Sequence, residues 1–289
     1  SIDYRNGGEK MLNIIYSIIY GIIEGITEWL PISSTGHLIL AENFFKFQGI
    51  SDNFFEMFEV VIQLGAILAV VLLYFKNIWP LKYEKSRHGD KRIVWDKNIL
   101  NLWGKILVAC IPAAIIGLLF DDILNKYLYN SWVVATMLII VGIAFIIIEN
   151  RKKGKNARCT SIEELTYKDA LIIGLFQLLA AIFPGTSRSG ATIIGALLIG
   201  ISRTVAAEYT FFLAIPVMFG ASLLKIIKFG FEFTGMEIAI LLVGMIVAFV
   251  VSILIIKFLM NYIKKHDFKV FGWYRIILGI IVLLLLGVL

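Results

Sequence analysis

The chain has 289 residues, of which 59% are hydrophobic and only 17% charged, and its mean hydropathy is +0.86. So little charge excludes a soluble domain of this size, which would need far more polar surface. The net charge of +6 suggests nucleic acid at first sight, but the basic residues sit in loops between apolar runs; positive-inside membrane topology accounts for them and implies no nucleic-acid partner.

The apolar runs approach the twenty or so residues that cross a bilayer as a helix, and they lack the alternation of barrel strands. Ser1 to Lys10 (SIDYRNGGEK) is polar and precedes Met11, so it reads as a cloning remnant ahead of a natural start at Met11. The run 12–30 has no small-residue cleavage site and continues into an acid-bearing motif, which argues against a signal peptide. It is paired with a short run, 38–47, across the segment PISSTGH (31–37). Full spans are expected at 54–75, 99–120 and 131–149. A second broken pair, 170–183 and 190–201, flanks PGTSRSG (184–190), and spans follow at 205–227, 236–259 and 271–289. Cys110 lies inside an apolar run and Cys159 in a basic loop, which suits neither a disulfide framework nor a Cys/His metal site.

Loop charge fixes the orientation. Loop 76–98 holds seven basic residues (Lys76, Lys82, Lys85, Arg87, Lys91, Arg92, Lys97), loop 150–169 opens with RKKGKNAR, and loop 260–270 carries Lys264, Lys265 and Lys269. Linkers 121–130 and 228–235 have one lysine each, Lys126 and Lys228. Placing the three basic loops in the cytoplasm is consistent only if 170–201 enters and leaves on that side and 12–47 enters and leaves on the outer side. Both broken pairs are then re-entrant hairpins.

The chain also repeats itself. GIIEGITEWLPISSTGHL (21–38) aligns without gaps to GLFQLLAAIFPGTSRSGA (174–191), so that Glu24 meets Gln177, Pro31 meets Pro184 and Ser34 meets Ser187. Each unit holds one hairpin and three spans, an odd number, so the second copy must be inverted. The expected fold is an all-α integral membrane protein of six full spans plus two re-entrant helical hairpins in an inverted-topology repeat. It forms a single membrane domain, 11–289, with the first repeat at about 11–149 and the second at about 170–289.

Polar residues inside these apolar runs mark function. Glu24 and Glu28 are spaced to share one helix face; two such acids repel in low dielectric, which a cation or a shared proton relieves. Ser33, Ser34 and Thr35 stand where a half-helix begins, followed by His37. Hydroxyls cap such a terminus, and its free N–H groups attract anions. The second tip repeats the pattern with Thr186, Ser187 and Ser189, adds Arg188, and has Thr192 one turn further on. A guanidinium there either pairs with Glu28 or Glu24 or meets phosphate oxygens. Glu59, Gln63 and Glu208 lie within spans and suit either the site or helix-to-helix hydrogen bonds. Two positive helix ends, hydroxyls and an arginine fit phosphate or pyrophosphate, which would also take a divalent cation.

At these residues the sequence resembles the bacterial undecaprenyl pyrophosphate phosphatase family, the bacitracin-resistance proteins. The E-x-x-x-E pair followed by P-x-S-S-T-G-H matches Glu24 through His37, P-G-x-S-R-S-x-x-T matches Pro184 through Thr192, and FEVVIQLGAILAVV (58–71) is also similar. The resemblance implies hydrolysis of a C55 polyprenyl pyrophosphate to the monophosphate, which recycles the lipid carrier of peptidoglycan synthesis. It further implies the bacterial plasma (inner) membrane, an outward-facing site, and a divalent cation, Mg²⁺ or Ca²⁺. Functional roles carry over to Glu24, Glu28, Ser34, His37 and Arg188. The expected mechanism is in-line attack on the terminal phosphorus, with Ser34 as leading nucleophile and His37 or an activated water as alternatives. His37 takes or relays a proton, Arg188 stabilises the developing charge, and Glu24 and Glu28 bind the metal or orient the nucleophile. Ser33, Thr35, Thr186, Ser187, Ser189 and Thr192 are the candidate substrate contacts. A polyprenyl-phosphate flippase built on the same inverted repeat is the competing class. Partners beyond the lipid substrate and the surrounding membrane lipids are open, a homodimer among them.

Overall fold

The computed structural model describes residues 2–85 and 91–286, so Ser1 and Arg87 lie outside the described residues, as do 287–289 at the end of the last expected span. The chain opens with α1 (Ile2–Thr27) and α2 (Ser34–Glu42), then α3 (Asp52–Val61), α4 (Gln63–Leu73) and the short α5 (Phe75–Ile78). A β-hairpin, β1 (Leu81–Lys85) and β2 (Lys91–Trp95), leads to α6 (Lys97–Leu128) and α7 (Ser131–Lys152). The second half holds α8 (Tyr167–Ile182), α9 (Arg188–Leu198), α10 (Arg203–Phe229), α11 (Gly235–Ile263) and α12 (Lys269–Leu286). Among the described residues, five stretches are long and apolar enough to cross a membrane: Asp52–Leu73, Lys97–Phe120, Ser131–Lys152, Arg203–Phe229 and Gly235–Ile263. They coincide with five of the expected spans, and the sixth falls in α12.

Helix starts follow local chemistry. Thr166 and Thr234 form capping boxes with Asp169 and Glu237, and Ser51, Asp96, Asn130 and Ser202 each accept from a backbone N–H of the first turn. Such caps answer the four orphan donors at a helix start. Three boundaries differ from expectation. The first helix begins at Ile2 rather than 12, running through Gly7 and Gly8, and α6 runs on to Leu128 rather than 120 because no Gly or Pro follows Phe120 to stop it. The strands at 81–95 are short, and their alternation is masked by the loop's charge.

The two halves pack crosswise. Helix α1 runs along α11 and α8 along α6, so each long hairpin helix leans on a span from the other half, while α7 and α12 pair with each other. The α7–α12 seam is reciprocal: a Cβ on Gly142 would come within 2.6 Å of the Gly272 carbonyl oxygen, and one on Gly272 within 2.7 Å of that of Gly142. Such close backbone approach is how small residues hold helices together in lipid, where no hydrophobic force between helices exists. The short α9 is buried along Ser189–Leu197.

At Gly65 on α4 an added Cβ would run into the backbone of Met245 on α11, carbonyl and Cα alike. Backbone cannot step aside as a side chain can. Gly65→Ala is therefore expected to cost about 1–3 kcal/mol, the usual range for overpacking, read as a lower thermal unfolding midpoint of the purified protein.

Candidate active site

Both hairpin tips are built on a serine in the left-handed region, Ser33 at φ 74° and Ser187 at φ 72°; no other non-glycine among the described residues has positive φ. Each caps the helix that follows: Gly36 N–H donates to Ser33 Oγ at 3.4 Å, and Gly190 N–H to Ser187 Oγ at 3.1 Å. This pairs Ser33 with Ser187 and corrects the gapless alignment, which matched Ser34 to Ser187. The second tip has one more residue between its proline and its cap, so Ser34 and Arg188 become equivalent, each the first residue of its helix. A non-glycine held there costs roughly 1–2 kcal/mol and persists only where its surroundings over-determine it.

Arg275 on α12 supplies much of that constraint. It is fully buried, and its guanidinium donates to four carbonyls: Pro31 (Nη1, 3.0 Å), Gly185 and Thr186 (Nη2, 2.8 and 2.9 Å) and Leu138 on α7 (Nε, 3.4 Å). One side chain thus joins the turn of each tip to α7. Sequence reasoning missed it; the available signal was a lone arginine within the last apolar run.

Arg188 meets Glu28 across the two halves. Its Nη2 lies 2.9 Å and its Nε 3.3 Å from the same oxygen, Glu28 Oε1, while Nη1 donates to the Thr210 carbonyl at 2.9 Å. This pair was one of the two expectations for the arginine. Because both bonds use Oε1, Oε2 is left open. Glu28 N–H also donates to the Glu24 carbonyl at 3.0 Å, continuing the helical turn. Glu24 is fully buried, and neither of its carboxylate oxygens has a hydrogen-bond partner. So costly an arrangement is rare without a function.

Between the tips lies a cavity of about 240 Å³, lined by Glu28, Ser34, Thr35, Gln63, Gln177, Ser187 and Arg188 among small and apolar side chains. Four of the other candidate substrate contacts are buried: Ser33, Thr186, Ser189 and Thr192. Ser189 Oγ lies 3.1 Å from Ser187 Oγ. Thr192 Oγ1 is 3.0 Å from the Arg188 carbonyl and 2.8 Å from Thr210 Oγ1. They support the tip from behind.

His37 is engaged elsewhere. Nδ1 is 2.7 Å from the Ser33 carbonyl and Nε2 is 2.6 Å from Tyr274 Oη, and the two rings stack with centroids 5.6 Å apart. A carbonyl only accepts, so Nδ1 carries a proton and donates it to Ser33, while Nε2 and the tyrosine hydroxyl hydrogen-bond to each other. The histidine thereby grips the strained cap through Ser33. Tyr274→Phe removes one hydrogen bond, worth about 0.5–1.5 kcal/mol, and is expected to lower turnover by less than about tenfold while leaving the pH–rate profile unmoved. A shift of that profile would instead mark His37 as the titrating group.

Fold and site together define an almost wholly helical membrane protein whose two halves meet at a cleft carrying an arginine, a carboxylate and hydroxyls. The family model described as "Bacitracin resistance protein BacA" matches residues 17–281. The chain is 62% identical over 274 residues to the undecaprenyl-diphosphatase of Desulfitobacterium hafniense, covering 95% of this chain and 96% of the relative. It is 60% identical over 272 residues to undecaprenyl-diphosphatase 1 of Clostridium acetobutylicum, covering 94% and 97%. To an undecaprenyl-diphosphatase of Enterococcus faecalis it is 56% identical over 262 residues, covering 91% and 93%. The chain belongs to the BacA bacitracin-resistance family.

Proposed function

We propose that this protein is an integral membrane phosphatase that hydrolyses undecaprenyl pyrophosphate to the monophosphate and inorganic phosphate, recycling the lipid carrier of peptidoglycan synthesis and thereby conferring bacitracin resistance. The observation that carries the reading is one cavity shared by Ser34, Arg188 and Glu28, residues drawn from both hairpin tips. The names of the relatives support the substrate. In this reading the chain crosses the bacterial plasma membrane six times, both tips are re-entrant, and the cavity opens to the outer side.

The Ser34 hydroxyl attacks the terminal phosphorus in line. As the new Oγ–P bond forms, the bond from that phosphorus to the bridging oxygen breaks, and the polyprenyl monophosphate departs with the electron pair. Glu28, with Oε2 free, accepts the serine proton and returns it after water has cleaved the phosphoserine. Arg188 and the backbone N–H groups at the starts of α2 and α9 hold the equatorial oxygens as charge develops. His37, the other candidate for the proton, is occupied by Ser33 and Tyr274 and acts by orienting the cap.

The donor set fits a divalent cation. Glu24 offers two buried, unpartnered oxygens to such an ion; Glu28, the other expected ligand, has its open oxygen committed to the serine proton in this scheme, and among the described residues no cluster of three or more His, Cys, Asp or Glu exists, leaving further coordination to phosphate oxygens and water. Mg²⁺ or Ca²⁺ bound there would neutralise charge on the pyrophosphate.

The test is phosphate release by purified protein in detergent, with no second compartment. Release is expected to be abolished by chelator and restored by Mg²⁺ or Ca²⁺, and ³²P from terminally labelled substrate should be trapped on the wild type but not on Ser34→Ala. Near-normal turnover by Ser34→Ala removes the nucleophile assignment. Binding of the monophosphate with no release by the wild type points to a flippase instead.

A further inference from the structure

The β1–β2 hairpin plays no part in the site, yet its pattern is strongly sided. The register pairs Leu81 with Trp95 and Tyr83 with Ile93. Opposed residues share a face of an antiparallel ladder, as do residues two apart, so these four form one apolar face. Leu81 at its base is half-buried, and the rest stands exposed: Tyr83 at 77%, Ile93 at 63% and Trp95 at 61%. The opposite face carries Lys82, Glu84 and Arg92 with one apolar residue, Val94, and Lys91 ends the apolar face. From Lys76 to Lys97 the segment has seven basic residues against three acidic.

The hairpin is also short-leashed. Leu81 follows closely on α5 and Trp95 closely precedes α6, and Asp96 N–H donates to the Pro80 carbonyl at 2.7 Å, closing the base. Below it, Phe75 and Trp79 stack with centroids 5.2 Å apart, both exposed, and continue into the exposed Leu68, Leu72 and Leu100 of the flanking helices. Exposed apolar side chains therefore flank the hairpin in the helices on both sides of it. A two-stranded sheet is marginal in water on its own, and exposed tyrosine and tryptophan flanked by lysine are the composition of a bilayer interface.

We infer that this hairpin is a lipid-docking element. Leu81, Tyr83, Ile93 and Trp95 seat in the interfacial region of the leaflet from which α4 and α6 emerge. Lys91, at the end of that face, engages the phosphates of anionic headgroups, and Lys82 and Arg92 on the far face add to the net positive charge that draws the segment to an anionic surface. The occupant is the surface of the bilayer that holds the protein.

The experiment places the photoreactive residue p-benzoylphenylalanine singly at 83, 93, 84 or 92 of the full chain in nanodiscs of phosphatidylglycerol or phosphatidylcholine. After irradiation, intact mass counts lipid adducts. Adducts are expected from 83 and 93 at roughly ten times the yield from 84 and 92. In phosphatidylglycerol discs, the triple variant Lys82→Gln, Lys91→Gln, Arg92→Gln should lower the yield from 83 by about tenfold, and phosphatidylcholine should do the same to the unaltered segment. Variants are compared only where size-exclusion profiles match the wild type, so misfolding does not imitate loss. Equal yields from the two faces, protein–protein adducts in place of lipid adducts, or yields indifferent to headgroup charge each overturn the inference.

Discussion

Arg188→Ala is expected to lower the rate of phosphate release by about 10²–10³-fold, the usual cost of removing one preorganised donor from developing negative charge. The arginine is held by Glu28 Oε1 and the Thr210 carbonyl, so its fork is aimed before substrate arrives and little ordering remains at the moment of reaction. Alanine also strands Glu28, whose side chain is 9% exposed in the pair; breaking a buried pair from one side costs more than the pair is worth. Lysine should restore little, because a single ammonium cannot span Glu28, Thr210 and a phosphoryl oxygen as a planar fork does. The decisive measurement is a double-mutant cycle: Glu28→Gln and Arg188→Ala, alone and together, assayed for kcat and kcat/KM. Two residues acting as one unit give losses far short of additive. Strict additivity would separate their roles and sink the assignment of Glu28 and Arg188 to one step.

Arg275→Leu should be the most damaging single change away from the cavity lining. Four carbonyls lose their donor at once, and an orphaned buried polar group costs about 1–3 kcal/mol. The leucine removes a buried charge, which offsets part of that loss. The net expectation is a thermal midpoint lower by several degrees and, in the protein that remains folded, kcat reduced at least about tenfold with KM changed less. The reason is positional: without the clamp, the Ser33 and Ser187 turns are free to relax from positive φ, and Ser34 and Arg188 move with them. Arg275→Lys reaches fewer carbonyls and should fall between the two. A leucine variant with lower stability but unaltered kcat would reduce Arg275 to packing alone.

Much of the fold is legible in the sequence because membrane helices are written in length and hydropathy. Five of the expected spans appear as long apolar helices, and both tips fall at the proline-and-hydroxyl segments where helix continuity fails. Site elements were legible where polarity interrupts an apolar run, as at Glu24, Glu28 and Arg188. Other features were not. The one-residue offset between the tips depends on which serine adopts positive φ, a choice that Ser33 and Ser34 leave undetermined by type. His37 reads as a proton carrier by chemistry, and only the stacked Tyr274, distant in sequence, reveals its other engagement. Arg275 was invisible for a related reason: its four partners are backbone carbonyls, which every residue has.

Arg275 and Tyr274 are neighbours on α12, one clamping both tips from within and the other, with its ring half exposed, holding His37 at the helix rim. The same short stretch is therefore exposed on one side and set against both tips of the candidate site on the other. A change in bilayer thickness or lateral pressure that tilts α12 reaches Ser33, Ser187 and everything they aim, with no intervening linkage to absorb it. The enzyme's rate then becomes a property of the membrane as much as of the chain, and turnover measured in micelles and in bilayers should differ even when the fold does not.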